Sequence, residues 1–180
     1  LGEQQEEAEQ AITQIRDRLY VIKGLTGSLS LEEAYNRAAK VAKKVGIRPA
    51  FLMALIKKES DWGNNIGSGN WRRDMHPRDH KAFQEITAKL GLNPDDMPVS
   101  AKPGYGWGGA MGPAQFLPTT WLAYEAEIAL LTGHNPPSPW NLEDAFAAAG
   151  IKLSANGANQ KTWEAEWKAA QVYFAGGNWN

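Results

Sequence analysis

Apolar residues recur at helical spacing along most of the chain. From the N-terminus they fall at Ala8, Ile12, Ile15, Leu19 and Ile22, alternating four and three residues apart. That alternation is the seam of a coiled coil, carried here over about two heptads. Either this segment pairs with another helix as the end of a coiled coil, or it packs on its own domain. Gly24 and Gly27 end it, and Ser30-Leu31-Glu32-Glu33 reads as a capping box that opens a second helix, to Val45, with Gly46 as its stop. Pro49 suits the first turn of a third helix, to about Asp61, in which Leu52, Leu55, Ile56 and Glu59 are spaced i, i+3, i+4, i+7.

Further helices are predicted from about Asp79 to Leu90, from Pro118 through Leu131, from the Asn141 cap to about Ala155, and from Thr162 to Ala175. Residues 62–79 are polar and rich in Gly and Asn, which predicts a loop over the site or a lid. The run NPDDMP is turn chemistry and lacks the alternating acidic ligands of a calcium loop. No strand pattern, repeat or low-complexity stretch stands out. The organisation is therefore an N-terminal helix over 1–25 and one mostly α domain over 26–180.

Composition narrows the function classes. The 180 residues carry 19 Lys and Arg against 20 Asp and Glu, a formal charge of −1. No basic excess is present to displace phosphate counterions, so a nucleic-acid partner is excluded. Zero cysteines rule out disulfides and thiolate sites without locating the protein in a redox compartment. The longest apolar run, Ala50 to Ile56, is far below the roughly 20 residues that span a bilayer, and the opening LGEQQEEAEQ is too polar for a signal h-region. Asp74, His76, Asp79 and His80 match no standard ligand spacing and read as solvated loop polars, so no metal or other cofactor is assigned. Lys40, Lys43, Lys44 and Arg48 read as a solvated helix face.

Three features bear on chemistry. Helical spacing puts the Glu59 carboxylate on the apolar face, at the negative end of a helix dipole. Both surroundings disfavour its charged form, and a carboxyl raised in this way can serve as a general acid near neutral pH. The same position also fits a Glu that ends an amphipathic stripe in solvent. The second feature is aromatic content: of eight tryptophans, Trp62, Trp71, Trp107 and Trp179 sit beside Gly or Asn, where an exposed ring suits the face of a sugar or a protein interface. The third is Gly106 to Trp121, GWGGAMGPAQFLPTTW, whose glycines and prolines suit a fixed, narrow-walled surface as well as an ordinary loop.

Two of these stretches carry a family resemblance. Glu59-Ser60-Asp61-Trp62-Gly63 resembles the E-[S/T]-x-aromatic-G signature that ends the catalytic helix of lytic murein transglycosylases. GAMGPAQFLPTTW, Gly109 to Trp121, resembles their second signature, and the pair is most similar to the membrane-bound lytic transglycosylase B type of the goose-lysozyme-like superfamily. The resemblance spans roughly Ser30 to Gly177 and leaves the N-terminal helix outside it.

It implies a mostly helical, lysozyme-like domain of the SLT type, with a groove for peptidoglycan strands and no cofactor. The implied reaction cleaves the β-1,4 bond between N-acetylmuramic acid and N-acetylglucosamine and closes a 1,6-anhydro ring, with Glu59 as acid and then base. Ser60, Trp107, Gly109, Met111, Gln115 and Tyr173 are the implied substrate-binding residues. Gly108 and Gly109 would admit the sugar to the backbone, Met111 would form an apolar wall, and Gln115 would bond substrate or orient Glu59. Gly109→Val is accordingly expected to harm turnover more than folding.

Two positions depart from the pattern. Gly106 stands where a Ser is usual, with Tyr105 and Ser60 the nearby hydroxyls, and Phe174 replaces an Asn after Tyr173. The alternatives on the same fold are a hydrolase using Asp61 or Asp74 to activate water, and a non-catalytic glycan-binding module. The substrate class places the protein outside the cytoplasm, in the cell envelope or secreted.

Overall fold

The structure is a computed structural model that describes residues 29–175. The predicted 8–22 helix and Trp179 lie outside the described residues. Within them the architecture is helical: α1 (Leu31–Val45), α2 (Pro49–Ser60), the short α3 (Trp71–Asp74), α4 (Pro77–Lys89), α5 (Pro118–Thr132), α6 (Leu142–Ala155) and α7 (Trp163–Ala175). Single 3₁₀ turns lie at Pro94–Asp96 and Ala158–Gln160. Among these residues no helix is long and apolar enough to cross a membrane.

Local chemistry sets the helix ends. Ser30 and Glu33 form a reciprocal capping box, with the Glu33 amide donating to Ser30 Oγ at 3.2 Å and the Ser30 amide to Glu33 Oε2 at 3.0 Å. Gly46 ends α1 in the left-handed conformation, and Pro49 occupies the first turn of α2. Asn141 caps α6, its side-chain oxygen accepting from the amides of Glu143 and Asp144.

α6 is the centre of the domain and packs against α1, α2, α5 and α7. It is buried almost all round, as an Ala-rich helix can be when every neighbour must approach closely: Ala145, Ala147, Ala148, Ala149 and Leu153 are fully covered. At Gly150 a Cβ would stand 2.7 Å from Val41 Cγ1 and 3.6 Å from Leu52 Cδ2, so this turn seats α6 against both α1 and α2. Trp121, Trp140, Phe83 and Phe146 fill the larger spaces. Each contributes roughly 1.5–3 kcal/mol, well beyond the 0–1 kcal/mol of an exposed pair such as Lys40–Glu143. Apolar packing therefore holds the helices together.

Residues 62–79 differ from the predicted loop or lid. Ile66, Trp71 and Met75 are core residues, α3 lies within the segment, and α4 starts two residues early at Pro77. His76 caps α4, with Nδ1 accepting from the Arg78 amide at 3.1 Å, a role a local reading does not give to His. The segment is held by isolated bridges, Gly69 to Val99 and Met75 to Gly108, which continue from Val99 to Met111 and from Met111 to Phe116. These bridges tie together chain stretches far apart in sequence. Asp74 and Asp79 are correspondingly buried rather than solvated.

Candidate active site

Glu59 occupies the last turn of α2, beside the C-cap Asp61. The chain turns sharply there, with Asp61 and Trp62 both at positive φ, 50° and 56°, followed by Gly63 at 91°. Ser60 fixes this turn. Its Oγ accepts from the Gly63 amide at 2.9 Å and donates to the Ile56 carbonyl at 3.4 Å. At 2% exposure Ser60 lies beneath the surface, which corrects the expectation of a substrate contact: it holds the end of the helix. Trp62 folds back over α2 and donates from Nε1 to the Met53 carbonyl at 3.1 Å.

Glu59 interacts with side chains from two other helices, Lys152 of α6 and Tyr173 of α7, and behind them stands Phe116 from the glycine-rich segment. Lys152 Nζ lies 4.2 Å from the Tyr173 ring centroid and 5.3 Å from that of Phe116. The two rings meet edge to face at 5.9 Å, and Phe116 packs in the same manner on Tyr124 of α5 at 6.1 Å. Tyr173 donates to the Ala114 carbonyl at 2.7 Å, fastening α7 to the glycine-rich segment. Among the described residues Glu59 accepts no hydrogen bond from a side chain.

The electrostatics follow from that enclosure. Burial pushes the Glu59 carboxyl up from an ordinary value of 4.5 to about 7, with the charges of Lys152 and then Lys58 opposing the rise. Burial lowers Lys152, and Glu59 opposes it. Tyr173 is raised, first by its burial and then by Glu59 and Tyr124. Glu59 and Lys152, both partly withdrawn from water, and the buried Tyr173 thus form one electrostatic group.

The glycine-rich stretch is built differently from the sugar-facing surface expected of it. At Gly108 a Cβ would lie 2.4 Å from the Ser100 carbonyl oxygen, and at Gly109, φ +92°, it would lie 2.7 Å from Met75 Cβ. The close approach these glycines permit is to the protein's own backbone and core. Gly109→Val is therefore a folding lesion first, reversing the expected order. Met111 is fully buried and bridged to Val99 and Phe116, so it belongs to the core rather than to a groove wall. Gln115 sits at φ 51° and its Nε2 donates to the Gly112 carbonyl at 2.8 Å, closing the turn that presents Phe116.

Trp107 is 45% exposed and belongs to a second cluster, with Lys102 Nζ 3.8 Å from its centroid and His76 edge-on at 5.2 Å. Tyr105 is 86% exposed, and a Cβ added at Gly106 beside it would meet nothing within 4 Å. Neither Tyr105 nor Ser60 replaces the absent serine hydroxyl by a bond to Glu59.

The other candidate acids are fully engaged. Asp74 accepts from the amides of Asn70 at 2.7 Å and Lys102 at 3.0 Å and pairs with Arg73 at 2.8 Å, which together hold it down at about 2, the Arg73 bond contributing most. Asp61 pairs with Lys57 at 2.9 Å and accepts from Asn64, and both bonds lower it. Asp79 is bonded to Thr119 and His80 to the Met75 carbonyl. Among the described residues no group of three potential ligands could hold a metal.

Lys152 is the member of this group that reading the sequence missed. The signal was present, because Ala145, Ala148, Ala149 and Lys152 recur at i, i+3, i+4, i+7, the spacing that places Glu59 on its own apolar face.

Solved structures give the class of fold. A soluble lytic transglycosylase, SltB1 from Pseudomonas aeruginosa, superimposes with a TM-score of 0.54 at 18% identity, covering 81% of this chain and 47% of that one. A 36 kDa muramidase/transglycosylase gives 0.53 at 20% identity over 81% and 45%. The Escherichia coli lytic transglycosylase Slt35, solved with bulgecin A, gives 0.52 at 20% identity over 81% and 44%. The chain spans less than half the length of each. No curated protein sequence matches it significantly. A family model described as the transglycosylase SLT domain matches residues 2–176, and the chain belongs to that family. The match runs across the N-terminal segment, which neither motif covers.

Proposed function

We propose that this domain cleaves the β-1,4 bond between N-acetylmuramic acid and N-acetylglucosamine in peptidoglycan by transglycosylation, with Glu59 as the single acid and base. Glu59 protonates the glycosidic oxygen as the bond to muramic C1 breaks, and N-acetylglucosamine leaves carrying a free 4-hydroxyl. The resulting Glu59 carboxylate then takes the proton of the muramic O6 hydroxyl while O6 bonds to C1 and closes the 1,6-anhydro ring. Atoms balance without water, and Glu59 ends protonated as it began. The muramic acetamido oxygen shields C1 between the two steps, a service that needs no second carboxylate.

The observation that carries this reading is the contrast in protonation. Glu59 is held near 7, suited to giving and taking a proton around neutrality, while Asp61 and Asp74, the acids a hydrolytic route would use, are both paired and held low. Membership of the transglycosylase SLT family supports the same substrate class, and that substrate class supports a location outside the cytoplasm. Ser60, Met111 and Gln115 act by shaping the end of α2 and the turn bearing Phe116. Tyr173 borders Glu59, and the half-exposed Trp107 offers a ring to a sugar.

Digestion of purified peptidoglycan followed by product mass measurement tests the proposal. Disaccharide-peptides one water lighter than lysozyme products are expected. Hydrated products would assign a hydrolase, and binding without turnover would assign a glycan-binding module.

A further inference from the structure

Lys152 stands out among the lysines of the domain. Lys40, Lys57 and Lys89 each pair with carboxylates. Lys152 Nζ makes neither an ion pair nor a hydrogen bond among the described residues and is steered instead by two ring faces, those of Tyr173 and Phe116. Its stem leaves α6 one turn beyond the fully buried Ala148 and Ala149, on a helix that packs against both α2, which carries Glu59, and α7, which carries Tyr173, and the side chain is partly withdrawn from water. Withdrawing a lysine without a partner is unfavourable, and its retention there calls for a charge that appears at the same place.

We propose that Lys152 is a positioning residue for the reaction, whose ammonium, fixed over the Tyr173 and Phe116 rings, stabilises the carboxylate that Glu59 becomes after its first proton transfer. The inference rests on the reading of Glu59 as the acid and base. While Glu59 is neutral the ammonium faces an uncharged group; once the proton has moved to the leaving oxygen, it faces an anion across a gap of low polarity. The attraction strengthens during the first step and makes Glu59 the stronger acid. It also makes the carboxylate a weaker base for the second step, and it opposes positive charge at C1. The net effect on rate is therefore smaller than the effect on the pH dependence, which is where the role is read.

Among the described residues the groups facing Glu59 are few enough to make that reading clean. Lys152 comes from α6, Tyr173 from α7 with Tyr124 of α5 behind it, and Lys58 from α2 itself. The tyrosines are raised and stay neutral across the range in which Glu59 titrates. Lys58 is exposed and its field is screened by solvent. Lys152 is the charge with the larger hold on Glu59.

The experiment is a ¹³C NMR titration of the glutamate carboxyls, with the Glu59 resonance identified by its loss in Glu59→Gln. A wild-type midpoint near 7 is expected. Lys152→Met keeps the apolar stem over the rings and removes the charge; its midpoint should move upward by on the order of one pH unit. Lys152→Arg should stay within a few tenths of wild type. The alkaline limb of kcat/KM should move with the midpoint. A midpoint that is unmoved or lowered in folded Lys152→Met, or in Lys152→Gln if the first variant does not fold, overturns the proposal. Because the titration needs no substrate, it reports on Lys152 even if product masses disprove the transglycosylase reading.

Discussion

Glu59 and Asp74 are both acids at the end of a helix, and both are drawn away from water, yet the fold treats them in opposite ways. Asp74 is met by two backbone amides and a guanidinium, all within 3.0 Å, and is held at about 2. Glu59 ends an apolar helix face, with the Tyr173 ring and an ammonium too distant to bond it as its neighbours, and is held near 7. Burial is common to both; donors decide the direction. An acid whose donors are supplied is a fixed part of the framework, whereas one left without them keeps its proton available.

The two acids give opposite slopes to stability against pH. The Asp74 pKa is depressed, so its contribution is present above its unfolded value, 3.8, and is lost as pH falls towards about 2. The Glu59 pKa is raised, so its contribution is complete below 4.5 and is lost as pH rises to about 7.

The largest effect that would sharpen the contrast between framework and reactive group is expected at Gly109. In Gly109→Val a branched side chain meets Met75 while the backbone holds φ +92°, and a loss of more than about 3 kcal/mol is expected from overpacking together with strain. Melting temperature and activity should fall together. Loss of activity at an unchanged melting temperature would return Gly109 to the sugar-facing role.

Asp74→Ala comes next. It strands the Asn70 and Lys102 amides, at a cost of about 1–3 kcal/mol by chemical denaturation, and turnover per folded molecule should stay within a few-fold of wild type. A collapse of turnover in the folded variant would break the comparison by making Asp74 a reactive group as well. The smallest effect is expected of Tyr173→Phe, which removes the bond to the Ala114 carbonyl for about 1 kcal/mol and keeps the ring under Lys152. A much larger loss of turnover than of stability would show that the hydroxyl takes part in chemistry.

Much of the helical framework was legible in the sequence because its signals are local. The Ser30 box, Gly46, Pro49, Asn141 and the face shared by Leu52, Leu55, Ile56 and Glu59 are each read within a few residues. What was misread depends on partners distant in sequence. Glycine at 108 and 109 announces a close approach without saying to what, and the neighbours are Ser100 and Met75. The polar look of residues 62–79 conceals three buried apolar anchors and bridges to residues 99 and 108. Ser60 and Met111 lie inside because the turns that carry them fold inward. Lys152 was overlooked because a lysine is by habit assigned to solvent, although its helical face was already apolar.

The most direct test of the central claim is the rate of peptidoglycan cleavage by Glu59→Gln, with its melting temperature taken on the same sample at neutral pH. Glutamine keeps the size of the side chain but can neither give a proton to the glycosidic oxygen nor take one from O6. The account predicts a rate at least ~10²-fold below wild type, the usual scale of general acid–base catalysis. It also predicts a fold at least as stable above pH 7, because a disfavoured buried charge is gone. Cleavage at the wild-type rate, or a loss of rate explained by a loss of fold, would contradict it.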